Sequence, residues 1–248
     1  MGVSAINISI VIPAKNEAEN IDYLVNEIMD NLEARNDFEI IYVDDGSTDS
    51  TSTKILELCK RHPRIVRLVQ HDISVGQSTA ICSGVSKANG NLILTLDADG
   101  QNNPADILTV IERTEAFKDN EHYCIAGYRK LRKDTAWKRL QSRVANGIRS
   151  RLLGDNTPDT GCGLKAFPKH TFQKLPYFDH MHRYLPALIK RQGGVIIVIE
   201  VTHRNRHFGK SKYGMWGRLS AGIIDMLGVM WLQRRAKLPK INEIYPND

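Results

Sequence analysis

The chain has 248 residues, of which 42% are hydrophobic and 25% charged, a composition that excludes disordered and fibrous proteins. Its length suits one ordinary α/β domain. Four cysteines are scattered without a C-x-x-C pair, which argues against a zinc site or a disulfide framework and favours a reducing compartment. The formal net charge is +6.

Positive charge is concentrated in the second half of the chain. Residues 129–151 and residues 202–240 each contain nine Lys or Arg and one acidic residue. The remainder holds 16 basic and 26 acidic residues, so an acidic body carries two basic segments. This asymmetry indicates an anionic partner such as a phosphate, a nucleic acid or a membrane surface, although the first segment alone could be a solvated helix face.

Strands and helices alternate in the first half. Apolar runs predict strands over residues 6–12, 38–43, 65–69 and 92–96. Apolar residues at helical spacing, such as Ile21, Leu24 and Ile28, predict helices between these strands, and Pro104 suits the first turn of a fourth helix. The alternation predicts an α/β fold with a mainly parallel sheet and helices on both faces.

The pattern changes after Tyr128. We expect a basic amphipathic stretch, a turn-rich segment over residues 154–163, a late strand over residues 195–201 and a C-terminal helix over residues 216–235. No run reaches the roughly 18 apolar residues of a membrane span, and the N-terminus does not resemble a signal peptide, so we expect a soluble or peripheral protein.

The C-terminal helix allows two interpretations. Apolar residues recur in it at helical spacing, and two tryptophans lie nearby: Leu219, Ile223, Met226, Met230, Trp216 and Trp231. The helix could pack on the sheet as a core helix, or it could lie on a membrane surface, which tryptophan with flanking Lys and Arg favours. We expect residues 1–214 to form the domain, with residues 215–248 as an amphipathic helix and tail appended to it.

Polar clusters follow three of the predicted strands, at residues 13–17, 44–47 and 97–101. Ligands of open parallel sheets bind beyond the carboxyl ends of the strands, where these clusters would meet. Asp97 and Asp99 would point the same way and repel each other unless a proton or a cation intervenes. With Gln101 they would suit Mg²⁺ or Mn²⁺ bound to a substrate diphosphate. Taken alone, the 44–47 cluster is better explained as turn and helix-cap sequence than as a binding site.

Two other patterns carry less weight. Residues 161–166 fit the G-x-G-x-x-A dinucleotide motif, but a turn-like segment precedes them instead of a strand, so a nicotinamide cofactor is not expected. The eight histidines show no metal-ligand spacing. His203 and His207 are four residues apart in a segment that is predicted to run from strand into loop.

At this point the sequence resembles a known family. The runs Ile10-Val11-Ile12-Pro13-Ala14-Lys15-Asn16-Glu17, Val43-Asp44-Asp45-Gly46-Ser47-Thr48-Asp49 and Asp97-Ala98-Asp99-Gly100-Gln101 look like a family 2 glycosyltransferase of the GT-A fold. Gly127-Tyr128-Arg129, residues 160–167 and residues 206–212 point more narrowly to the polyprenyl-phosphate sugar synthases, such as dolichol-phosphate mannose synthases. The likeness covers nearly the whole chain.

The resemblance implies roles for individual residues. The nucleotide-sugar would be lined by Pro13, Ala14, Asn16, Glu17, Asp44, Gly76, Ala80 and Asp97. The metal ion would be bound by Asp97, Asp99 and Gln101. Asp99 would take part in catalysis, together with cationic and polar side chains that face the donor diphosphate or the acceptor phosphate: Arg129, Arg139, Arg206, Ser211 and Lys212.

The implied reaction is an inverting transfer of a sugar, a mannose-like hexose above all, from a nucleotide-diphosphate donor to dolichyl or undecaprenyl phosphate. The enzyme would depend on Mg²⁺ or Mn²⁺ and work at the cytoplasmic face of a membrane, bound peripherally. A hydroxyl acceptor on a glycan or lipid is the alternative, and it would require a general base. A basic nucleic-acid-binding protein is a remote alternative, because strand-end carboxylates without a metal would repel nucleic-acid phosphates.

Overall fold

The computed structural model describes residues 5–117, 121–130, 146–206 and 215–237, with the backbone alone over residues 215–221. Seven strands form one sheet in the order β3-β2-β1-β4-β6-β5-β7. The strands are β1 (Ile8–Ala14), β2 (Phe38–Asp45), β3 (Val66–His71), β4 (Leu92–Thr95), β5 (Tyr123–Tyr128), β6 (Lys165–Pro168) and β7 (Val195–Glu200). The pairs among the first four strands are parallel, as is β5 with β7, whereas β6 is antiparallel to both of its neighbours.

Helices cover both faces of this sheet. They are α1 (Ala18–Asn31), α2 (Thr51–Arg61), α3 (Gln77–Lys87), α4 (Asp106–Thr114), α5 (residues 146–153), α6 (Lys169–Gln173), α7 (Leu185–Arg191) and α8 (Met215–Arg234). A single 3₁₀ turn, Met181–Arg183, precedes α7. The predicted α/β fold with a mainly parallel sheet is confirmed.

Alternation along the central strands divides the core into two clusters. Ile10 and Ile12 of β1 face one cluster, which includes residues of α1 and α4, whereas Val11 faces the other, which includes residues of α3 and α7. Successive strand residues point to opposite faces, so a strand covered on both sides is apolar at nearly every position. Each fully buried aliphatic side chain contributes about 1.5–3 kcal/mol to the stability of the sheet.

The second half of the sheet differs from the expected pattern. Sequence periodicity did not predict β5 or β6. β6 has only four residues, and two of them are Lys165 and Pro168, so it shows no apolar period. β6 pairs antiparallel with β4, with Thr95 opposite Lys165 and Leu92 opposite Pro168. This reversed strand carries the segment before it, residues 160–163, to the end of β4 from which Asp97 emerges.

Helix α8 combines features of both interpretations of the C-terminal helix. Val229 is fully buried and Met226 and Met230 pack against the second core cluster, so one face of the helix belongs to the core. The side chains of Ile224, Leu227 and Trp231 are 71%, 57% and 59% exposed on another face. In the described ranges, no helix is long and apolar enough to cross a membrane. The side chains of Trp216 and Leu219 lie outside the description.

Candidate active site

The three polar clusters meet at one edge of the sheet, as predicted. β1 lies between β2 and β4 and is parallel to both, so the loops after these three strands emerge side by side. Asn16, at φ 52°, joins the first two loops: its backbone N–H donates to Ser47 Oγ at 2.9 Å, and Thr48 N–H donates to Asn16 Oδ1 at 2.7 Å. Glu17 N–H donates to Thr51 Oγ1 at 2.9 Å. The predicted nucleotide loops therefore form one connected surface.

Asp44 and Asp45 are buried and organise the loops around them. Asp44 accepts hydrogen bonds from Ser47 N–H at 3.0 Å and from the Ser52 hydroxyl. Asp45 accepts from Val75 N–H and Gly76 N–H, both at 2.9 Å, in the loop that leads into α3. Burial raises the pKa of Asp45, but these bonds and those from His71 and Ser74 outweigh it and lower the pKa overall. Asp45 thereby fixes the start of α3.

Asp97 is the carboxylate that its surroundings perturb most clearly. Gln77, the first residue of α3, donates from Nε2 to Asp97 Oδ1 at 3.0 Å. Burial and the neighbouring charge of Asp99 raise the pKa of Asp97 to about 6, against the attraction of Lys165 and Arg129. A side chain at Gly163 would overlap the Asp97 carboxylate. Asp97 therefore fits tightly between α3 and the segment before β6.

Asp99 faces a cation from a distant part of the chain. Arg206 donates from Nη2 to Asp99 Oδ2 and to Glu17 Oε1, each at 3.1 Å. The other oxygen of Asp99 accepts from Gln101 N–H at 3.0 Å. Arg206 Nε is buried, and no described residue accepts its hydrogen bond. The late basic segment thus reaches the carboxyl edge of the sheet.

A cavity opens beside Asp97, between the end of β4 and the segment before β6. Pro13, Gln77, Lys165, His182 and Arg183 help to line it. Lys165 is 4% exposed and its Nζ donates to the backbone oxygens of Cys162 and Thr160. Ser78 lies 2.8 Å from His182 Nδ1. The cavity walls therefore carry a carboxylate, an amide, two cations and an imidazole.

The chemistry of these side chains fits a divalent cation. Within the described ranges, no group of three or more His, Cys, Asp and Glu residues is arranged to hold a metal ion. Asp97 and Asp99 nevertheless supply the hard oxygen ligands that Mg²⁺ and Mn²⁺ prefer, and burial together with repulsion by the charge of Asp99 raises the pKa of Asp97. A cation between them would relieve this repulsion.

Sequence comparison identifies the family. The model of "Glycosyl transferase family 2" matches residues 9–175. The chain belongs to this family. It is 32% identical to the dodecaprenyl-phosphate galacturonate synthase of Rhizobium johnstonii over 96% of its own length and 70% of that protein. It is 29% identical to the undecaprenyl-phosphate 4-deoxy-4-formamido-L-arabinose transferase of Photorhabdus laumondii over 83% of its own length. The chain spans 62% of this second relative.

Solved structures show the same fold. A mannosyltransferase of Pyrobaculum calidifontis, in complex with GDP-Man and Mn²⁺, matches with a TM-score of 0.70 at 20% identity, over 95% of this chain and 66% of that one. A glucosyl-3-phosphoglycerate synthase of Mycobacterium tuberculosis, with Mn²⁺, UDP-Glc and phosphoglyceric acid, matches with a TM-score of 0.63 at 16% identity, over 92% and 79%. This chain is a family 2 glycosyltransferase of the GT-A fold.

Several predicted site residues of the glycosyltransferase lie beneath the surface. The side chains of Ala14, Asp44 and Ala80 are at most 2% exposed. Gly76, at φ 96°, immediately precedes α3. Arg129 is paired with Asp159 through two hydrogen bonds of 2.6 and 2.9 Å. The roles predicted for these residues stay predictions. Arg139, Ser211 and Lys212 lie outside the described residues.

Sequence reasoning missed Gln77, Lys165 and His182. Gln77 directly follows Gly76, which the resemblance placed under the nucleotide-sugar, so its position was a usable signal. Lys165 lies within the segment 160–167 that carried the resemblance, but its burial depends on the reversed strand β6. His182 has no spacing that points to the site, since it reaches the cavity through a contact with a residue 104 positions away.

Proposed function

We propose that the glycosyltransferase moves a sugar from a nucleotide-diphosphate donor to a polyprenyl phosphate at a membrane surface. The observation that carries the proposal is the pair of carboxylates Asp97 and Asp99 after β4, with the cation Arg206 hydrogen-bonded to Asp99. The names of the two relatives support the acceptor, since both refer to polyprenyl phosphates. The same names specify galacturonate and a modified arabinose, whereas the sequence resemblance favours mannose.

The nucleotide would lie over the connected loops after β1 and β2, near Pro13, Asn16 and Glu17. Asp97 and Asp99 would hold Mg²⁺ or Mn²⁺, with Gln101 as the predicted third ligand, and a bound divalent cation would neutralise the donor diphosphate as charge develops on it. The Mn²⁺ in the solved structures named above supports a divalent cation at such a site.

The chain's own cations have a separate task. As the bond between the anomeric carbon and the β-phosphate oxygen breaks, its electron pair leaves with the nucleotide diphosphate, and preorganised cations stabilise that charge. Arg206 is already directed at the carboxyl edge, where the diphosphate would lie. An acceptor phosphate oxygen then forms the new bond from the opposite face of the sugar. This direct displacement inverts the anomeric configuration.

A phosphate acceptor needs no strong general base, because it is already ionised near neutral pH. A hydroxyl acceptor would need one. The two acidic residues between Lys190 and Lys240 are Glu200 and Asp225. They are paired with Lys130 at 3.3 Å and His180 at 3.1 Å, and neither lines the cavity beside Asp97. These contacts favour the phosphate acceptor over the hydroxyl alternative.

The exposed face of α8 would dock on the lipid. Its apolar residues Ile224, Leu227 and Trp231 are exposed, and Gln233 of the same helix donates to Leu153 O, at the end of α5, at 3.0 Å. On α5, Ile148 and Leu152 are also about half exposed. Exposed basic residues accompany this face: Arg151, Arg234, Arg235 and Lys237. Apolar residues flanked by cations suit the boundary of an anionic membrane. We place the enzyme at the cytoplasmic face, a location that four free cysteines support.

A donor screen tests the proposal. Purified protein would be incubated with Mn²⁺ or Mg²⁺, a short-chain polyprenyl phosphate and one nucleotide-sugar at a time, including GDP-mannose, UDP-galacturonate and UDP-4-deoxy-4-formamido-L-arabinose. Metal-dependent formation of a lipid-phosphate sugar with at least one donor is the expected result. Turnover only with hydroxyl acceptors would support the alternative, and salt-dependent binding of DNA without any turnover would support the remote one.

A further inference from the structure

Two consecutive residues at the start of α3 contact two residues that line the cavity. Gln77 donates to Asp97 Oδ1 at 3.0 Å, and Ser78 contacts His182, which lies in the 3₁₀ turn before α7. Both Asp97 and His182 line the cavity. The first turn of α3 therefore fixes the separation between an anionic acceptor group and an imidazole.

The contact with Ser78 determines which nitrogen of His182 carries the proton. Ser78 Oγ accepts the backbone N–H of His182 at 3.3 Å and lies 2.8 Å from its Nδ1. Among the described residues, Nδ1 is the one acceptor within reach of the Ser78 hydroxyl proton. The hydroxyl therefore donates to Nδ1, and the proton of the neutral ring resides on Nε2.

The surroundings keep this ring neutral. Burial, followed by the positive charges of Lys165 and Arg183, holds the pKa of His182 well below its usual value. Nε2 is not among the buried polar atoms that lack a partner, and it makes no hydrogen bond within the described protein. It is therefore a solvent-accessible donor on a residue that lines the cavity.

The cavity borders the nucleotide loops at Pro13, at the end of β1. From there and from Asp97 it extends toward the segment before β6 and toward α7. A donor whose nucleotide lies over β1 and β2 and whose diphosphate reaches Asp97 and Asp99 would place its sugar beyond them. An uncharged N–H group there can donate a hydrogen bond to a sugar hydroxyl oxygen.

From this geometry we infer that His182 is a specificity residue of the enzyme, which binds the donor sugar by donating a hydrogen bond from Nε2 to one sugar hydroxyl. Ser78 is the positioning residue that maintains the required tautomer. The inference rests on the proposed function, since it takes the cavity to be the sugar site of a nucleotide-sugar.

The test compares nucleotide-sugar binding with nucleotide binding. His182→Phe removes the donor while it retains a flat ring, and His122→Phe makes the same change at the amino end of β5, where His122 contacts Thr171. Calorimetry with Mn²⁺ would give Kd for the nucleotide diphosphate and for the nucleotide-sugar that the donor screen selects. We expect His182→Phe to raise Kd for the nucleotide-sugar about 10-fold, with Kd for the nucleotide diphosphate unchanged and His122→Phe without effect.

Deoxy-sugar donors then identify the contact. The wild type is expected to bind one monodeoxy donor about 10-fold more weakly than the parent donor. His182→Phe should bind these two donors equally well, because it already lacks the N–H group that pairs with the missing hydroxyl. Ser78→Ala should show part of the loss of nucleotide-sugar affinity that His182→Phe shows. His182→Gln, which retains an N–H donor, should lose less affinity than His182→Phe.

The outcomes separate the two claims. If every monodeoxy donor loses the same affinity in wild type and His182→Phe, His182 does not bind the sugar, although the enzyme still binds its donor. The same holds if His182→Phe weakens nucleotide diphosphate and nucleotide-sugar equally, since the change is then structural. If the wild type binds no nucleotide-sugar, the proposed function fails and this inference fails with it.

Discussion

Arg206 holds Asp99 across the sheet: Nη2 donates to Oδ2 over 3.1 Å, although the two residues are 107 positions apart. Asp99 follows β4 and Arg206 follows β7, three strands away. A bridge between Asn102 and His203, and a hydrogen bond of 3.0 Å from Arg204 N–H to Gln101 O, bring the late segment to this position. The basic segment therefore supplies a cation to the same edge that presents the acidic pair.

Asp99→Ala should abolish turnover and the metal-dependent part of donor binding while the fold is retained, because Asp99 is partly exposed and lies at a strand end. Mn²⁺ binding in the presence of nucleotide, followed by electron paramagnetic resonance, measures the effect directly. Glu57→Ala, on the exposed side of α2, is the matched control. Activity of Asp99→Ala close to that of the wild type would remove the metal hypothesis.

Arg206→Ala should lower kcat by about 100-fold, the order of magnitude for loss of one preorganised charge in a transition state. Its Kd for free nucleotide diphosphate should change by less than about threefold, because phosphate positioning for reaction is its main task. We expect the same separation for Lys212→Ala. Arg64→Ala, which changes an exposed arginine before β3, serves as control. A variant that lost nucleotide binding and kept its maximal rate would contradict this assignment.

Asp97→Asn should reveal a pH-dependent stability difference in the metal-free protein. The pKa of Asp97 is about 6 in the fold, above the value of about 3.9 in an unfolded chain. The native state therefore binds more protons than the unfolded state between these values, so Asp97 lowers stability as pH rises through this window. One pKa unit corresponds to about 1.4 kcal/mol, and partial solvent contact reduces the effect, so we expect roughly 1–2 kcal/mol in total.

Urea denaturation at pH 4 and pH 7.5 checks this prediction. The free energy of unfolding of Asp97→Asn, minus that of the wild type, should increase between the two pH values. A difference that stays constant with pH would show that the Asp97 carboxylate titrates as it does in an unfolded chain, and that the asparagine merely alters packing or the hydrogen bond from Gln77.

Removal of α8 is a poor test of membrane binding, because Met226 and Val229 belong to the core and truncation before Trp216 would expose it. Serine substitutions at Ile224, Leu227 and Trp231 change the exposed face alone. We expect the wild type to sediment with anionic vesicles at low salt and to be partly released at 1 M salt, where the Debye length falls from about 10 to about 3 Å. The triple variant should remain in the supernatant.

Leu56→Ser, at a residue 48% exposed on α2, controls for a general loss of surface hydrophobicity. The triple variant should also lose activity toward long-chain acceptors and keep it toward a water-soluble short-chain analogue. Wild-type protein that stays in the supernatant with anionic vesicles at low salt would exclude this face as a membrane contact.

Sequence periodicity predicted the first four strands and the meeting of the three polar loops, because parallel strands buried on both faces produce long apolar runs that end at one edge. It did not predict β6, whose four residues are too few to show a period. The contacts of Gln77 with Asp97 and of Ser78 with His182 could not be predicted from the sequence either, since they depend on how α3 packs against distant segments. The apolar residues of the C-terminal helix allowed two interpretations, a core helix or a membrane-surface helix. Met226 packs on the core, while Ile223, at the same helical spacing, is half exposed.

A comparison of two acceptors with one donor distinguishes transfer to a phosphate from transfer to a hydroxyl. Purified enzyme, Mn²⁺ and a labelled nucleotide-sugar would be supplied either with a short polyprenyl phosphate or with the corresponding polyprenol. The lipid products would be identified by mass spectrometry, and their anomeric configuration by NMR spectroscopy. We expect a sugar-phosphate-lipid from the polyprenyl phosphate, with inverted anomeric configuration, and no product from the polyprenol. Equal or faster transfer to the polyprenol hydroxyl would contradict this expectation.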